Sequence, residues 1–63
     1  MDPDANLKEQ LELARSMVES IDQGDEEGAL DDATRLAELV LALDTWIKNG
    51  GFMPAAWARG QKR

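Results

Sequence analysis

The sequence predicts an all-α fold: an antiparallel helical hairpin with a short C-terminal turn or helix, dimerising into a four-helix bundle. Three observations carry this. Apolar residues recur at spacings of three and four in two long blocks, the period of a helix buried on one side. Between the blocks lies Gly24-Asp25-Glu26-Glu27-Gly28, an acidic turn bracketed by glycines and of a length that joins antiparallel helices. The second block is apolar most of the way round, more than a single neighbouring helix can cover.

The first helix is expected over about residues 3–23. Asp2-Pro3 pairs an N-capping carboxylate with proline at the first helical position, where a missing N–H costs nothing. Asn6 followed by Glu9 offers a second start, a capping box in asparagine form. Leu7, Leu11, Ala14, Val18 and Ile21 are 4, 3, 4 and 3 positions apart and share one narrow stripe, which Leu13 and Met17 widen to one side. Gly24 supplies the left-handed residue that commonly ends a helix.

The turn is placed at residues 24–28, with Asp25 available to cap the second helix, which is expected over about 29–48. Leu30, Ala33, Ala37, Val40, Leu41 and Ile47 line one side of it; Leu36, Leu39, Leu43 and Trp46 extend the apolar surface round the other. Within one short chain the excess has no partner, and Leu39, Leu43 and Trp46 are the candidate self-association surface. Asp31 or Asp32 with Arg35, and Asp44 with Lys48, stand at helix-neighbour spacing and support the helix. Asn49-Gly50-Gly51 ends it. In the capping segment 50–58, Phe52 is placed to fold back on the last turn, Pro54 suits the start of a short helix, and Met53 fills a gap. Trp57 either closes the open end of the hairpin as a lid or anchors a partner. Phe52, Met53 and Trp57 therefore join the candidate interaction residues, tryptophan being enriched at interface hot spots. Residues 1–58 form the single domain and 59–63 a disordered basic tail.

Composition limits the chemistry. The 63 residues contain no histidine, cysteine or tyrosine, which removes disulfides, the usual zinc sites and nucleophile–histidine pairs. Apolar residues make up 43%, but 9 of these 27 are alanine, so little large side chain is available for a core. A scaffold this small usually needs a staple, and self-association is the one left to it. No apolar run approaches the roughly 20 residues of a membrane span and no leader is evident, so a soluble, cytoplasmic protein with no membrane partner is expected. The 13 acids and 7 bases give a net charge of −6, unevenly spread. Residues 1–44 hold all 13 acids and 3 bases, whereas 45–63 hold 4 bases and no acid.

That distribution disfavours nucleic-acid binding, since the body of the chain repels phosphate. Carboxylates are the only groups with catalytic potential. Glu9-x-x-Glu12 and Asp31-Asp32 are the pairs that a metal-dependent hydrolase would use, but such sites need acids converging from several helices and bases to hold phosphate. No catalytic, cofactor-binding or metal-ligating residue is assigned. The leading expectation is a small non-enzymatic interaction or regulatory module; the alternatives are that hydrolase and an acidic DNA mimic.

Two stretches carry a resemblance: Asp2-Pro3-Asp4-Ala5-Asn6-Leu7, and residues 33–47 (Ala33-Thr34-Arg35-Leu36-Ala37 through Thr45-Trp46-Ile47) followed by Gly50-Gly51-Phe52-Met53-Pro54-Ala55-Ala56-Trp57. They are similar to small orphan proteins of actinobacterial phages. The resemblance implies a phage protein made in the host cytoplasm, of a type that could inhibit a host protein or act as a small regulator; a host or phage protein is the expected partner. It transfers no functional residues.

Overall fold

The computed structural model describes residues 1–60, and they form three helices: α1 (Pro3–Asp22), α2 (Glu26–Lys48) and the short α3 (Ala55–Gly60). The expected all-helical hairpin is present, with α1 and α2 packed against each other. Helix α3 takes in Arg59 and Gly60, so the expected tail is shorter by those two residues; its remainder, 61–63, lies outside the described residues.

Local chemistry sets the helix ends. The Asp2 carboxylate accepts from the backbone N–H of Asp4 (3.0 Å) and Ala5 (3.1 Å), with Pro3 at the first helical position. Asn6 is therefore not a cap but lies inside the helix. Both long helices end in the same motif. At α1, Gly24 (φ +78°) donates to Ile21 O and Asp25 to Ser20 O; at α2, Gly50 (φ +91°) donates to Ile47 O and Gly51 to Trp46 O. In each pair the last carbonyls of the helix gain donors through a left-handed glycine. The Asp25 carboxylate then takes the Gly28 N–H at 3.0 Å, starting α2 at Glu26 and shortening the turn to three residues.

The seam between the helices differs from the expected stripe. On α1 the residues turned inward are Pro3, Asn6, Leu7, Gln10, Leu13, Ala14 and Met17, whereas Leu11, Val18 and Ile21 are exposed. At 100° per residue this seam is rotated by roughly 60° from the stripe of Leu7, Leu11, Ala14, Val18 and Ile21. On α2 Ala29, Leu39 and Leu43 are buried, with Ala33, Leu36, Trp46 and Ile47 half-buried. Asn6 and Gln10 lie in the rotated seam. The Asn6 amide donates to the Leu39 carbonyl at 3.0 Å and its own oxygen accepts from the Gln10 amide at 2.6 Å. These polar side chains are satisfied in the seam.

The C-terminal segment folds back across the open end. Asp4 Oδ1 accepts from the Ala55 N–H at 2.7 Å, tying the start of α3 to the start of α1, and Pro3 and Pro54 are fully buried. Trp46 Nε1 donates to the Phe52 carbonyl at 2.9 Å, and the two rings meet edge to face with centroids 5.7 Å apart. The Trp46 ring lies directly over Gly51, where a Cβ would collide with it. Gly51→Ala is therefore expected to push the indole out of place, break its hydrogen bond to Phe52 and cost about 1–3 kcal/mol, as overpacking does. A lowered urea midpoint with a red-shifted tryptophan emission would show this; Gly60→Ala, which meets only open space, should change neither.

Candidate interaction face

The hairpin has two unlike broad faces. On one, Glu9 and Arg35 form a two-pronged ion pair, Arg35 Nε to Oε2 at 2.9 Å and the second guanidinium nitrogen to Oε1 at 3.2 Å. The partner expected for Arg35, an aspartate one turn away on its own helix, is replaced by this contact between helices. The hydrogen bond from Arg35, and then its charge, hold the Glu9 carboxyl below the ordinary glutamate range and raise Arg35 above its usual value. Lys48 is likewise raised by its hydrogen bond to Asp44 at 2.9 Å, the pair that the spacing suggests.

A carboxylate whose pKa is lower in the folded chain adds stability above its unfolded pKa, and that stability disappears as pH falls through the lowered value. Glu9→Gln is thus expected to reduce the urea midpoint slightly at neutral pH and to match the parent chain below the lowered range. Both partners are solvent-exposed, so the effect is small and weakens with salt. A Glu9→Gln deficit that persisted at the acid end would contradict the assignment.

The opposite face carries most of the exposed large apolar side chains, with Asp44 and Glu26 among them. Leu11, Val18 and Ile21 from α1 and Leu30, Val40 and Leu41 from α2 are all exposed, Val18 by 65% and Leu30 and Leu41 by 67% each. Two grooves run between the helices on this face. One, of about 210 Å³, lies at the open end under Trp57 and is lined by Gln10, Val40, Leu43, Asp44 and Ile47. The other, of about 360 Å³, lies at the turn end between Met17, Ile21, Glu26, Ala29, Leu30 and Ala33.

The candidate residues read from the sequence divide accordingly. Leu39 (7% exposed) and Leu43 (2%) form the hairpin's own core and offer no surface to a partner. Trp46 is half-buried and engaged with Gly51 and Phe52 inside the chain. The outward part of α2 is the other side, Leu30, Val40 and Leu41. Met53 is half-buried and Phe52 exposed against the Trp46 edge. Trp57, 43% exposed, covers the groove at the open end while keeping much of its ring in solvent. Sequence spacing identified both apolar sides of α2 but assigned them the wrong way round. The polar Asn6 and Gln10, aligned with Leu13 and Met17, are the signal that would have rotated α1 correctly.

The carboxylate pairs do not assemble. Glu9 is held by Arg35, Glu12 is exposed, and among the described residues no group of three or more acids comes together to hold a metal ion. No helix of the described residues is long and apolar enough to cross a membrane. No family model matches the chain, and no curated protein or solved structure does either.

Proposed function

We propose that the chain is a small non-enzymatic protein–protein interaction module, and that its apolar face closes against a second copy to make a four-helix bundle. The observation that carries this is the convergence of exposed Leu, Val and Ile side chains from both long helices on one face, opposite the Glu9–Arg35 face. Layering and surface area support it. The two long helices pack on each other as a single layer, whereas stable domains pack at least two layers round a core. Its accessible surface is 4748 Å², against about 4000 Å² for a compact monomer of this mass. The surplus is of the order of the roughly 800 Å² that each partner buries in a standard interface.

In such a bundle the acidic outer surfaces of the helices, with Phe52 at the open end, remain free for a further partner. A host protein is the partner implied by the likeness to phage proteins. Mixing isotope-labelled with unlabelled chains tests the assembly. Contacts between copies are expected at the methyl groups of Leu11, Val18, Leu30 and Val40. Contacts confined to the Arg35 side would overturn the proposed face.

A further inference from the structure

The geometry points to a defined orientation for this pair: two hairpins lying in opposite directions, with Trp57 of each copy seated in the partner's turn-end groove between Ile21 and Leu30. The inference rests on the two-copy reading above and adds how the copies meet.

A face-to-face pair with two-fold symmetry has two arrangements, turns at the same end or at opposite ends. Shape separates them. At the open end Trp57 of α3 lies over the smaller groove and keeps 43% of its surface exposed, while the turn end holds the larger groove, about 360 Å³ against 210 Å³. With turns together, the two α3 segments meet each other and the two larger grooves face one another unfilled. With turns apart, each open end lies over a turn end, and an indole fills the partner's groove.

Charge favours the same arrangement. Residues 19–32 at the turn end carry Glu19, Asp22, Asp25, Glu26, Glu27, Asp31 and Asp32 and no base. At the open end Asp2, Asp4, Glu9 and Asp44 stand against Lys8, Lys48 and Arg59, which leaves that end close to neutral. Placing turns together opposes seven acids to seven more, a like-charge contact that interfaces avoid. Placing them apart brings each acidic turn to an end that is close to neutral.

Because the chain has no cysteine, a nitroxide can be attached at one chosen site. Gln23 is exposed in the turn, and Gln23→Cys labelled in this way reports the distance between the two turns by dipolar spectroscopy. Opposite orientation predicts a separation of about 30–35 Å, the length of the two long helices at 1.5 Å per residue. A separation of about 10–20 Å, set by interhelical spacings of about 8–10 Å, overturns the orientation while leaving the dimer intact. No dipolar coupling, with a monomer in sedimentation, overturns both readings. A second variant isolates the anchor. Trp57→Ala should weaken self-association by more than about tenfold, since each pair loses two indoles, with the amide spectrum of α1 and α2 preserved. Unchanged association in that variant would overturn the seating of Trp57.

Discussion

Leu43→Ala is expected to remove more than half of the chain's stability. Leu43 is the most buried of the core leucines at 2% exposure, and among the described residues Leu7, Ala29 and Leu39, with Pro3 and Pro54, accompany it as buried apolar residues. Truncating a buried leucine costs about 2–5 kcal/mol through lost transfer energy and the cavity left behind. A domain of this length has roughly 3–9 kcal/mol in total. The loss therefore consumes most of the margin, and the thin layer has few neighbours able to collapse into the gap. Urea titration followed by far-ultraviolet circular dichroism, at one fixed protein concentration, measures it. A loss below about 1 kcal/mol would show that the Leu39–Leu43 side is not the core, and the two faces of α2 would have to be exchanged again.

Val18→Glu should do the reverse, abolishing self-association while leaving the hairpin folded. Val18 is 65% exposed and points out of the apolar face, so the isolated hairpin loses little packing, and glutamate is a better helix former than valine. In a two-fold dimer the same position is buried twice. At about 1.5–3 kcal/mol for each side chain, and about 1.4 kcal/mol for each factor of ten, association falls by roughly 10²- to 10⁴-fold. Two unpaired carboxylates in the seam add to that loss. Glu38→Gln, an exposed position on α2 that lies off the apolar face, is the control and should leave association unchanged. Loss of helix content in Val18→Glu, rather than loss of association, would mean that Val18 supports the hairpin and not the interface.

Helix boundaries were legible in the sequence because a few residues determine them. Asp2-Pro3 caps α1, Gly24 and Gly50 take the left-handed positions, and Asp25 starts α2. The orientation of the helices about their own axes was not, for reasons visible in particular side chains. Asn6 reads as a cap or a surface residue, yet it lies in the seam, where the Leu39 carbonyl and the Gln10 amide satisfy it. Once Asn6 turns inward, Leu11, Val18 and Ile21 turn outward, and α2 meets α1 through Leu39 and Leu43 instead of Leu30 and Val40. Period alone cannot choose between two apolar sides of one helix. The surplus of apolar surface on α2 could be read, but not which side would carry it. Arg35 shows the same limit: spacing points to an aspartate on its own helix, while tertiary packing offers Glu9 in two-pronged geometry.

Completion of the apolar face by another copy of the chain is open to direct measurement by sedimentation equilibrium across micromolar concentrations. A folded species of twice the 7.0 kDa chain mass is expected, dissociating on dilution and shifted to monomer by Val18→Glu. A well-folded 7.0 kDa monomer throughout that range would refute the pairing of hairpins.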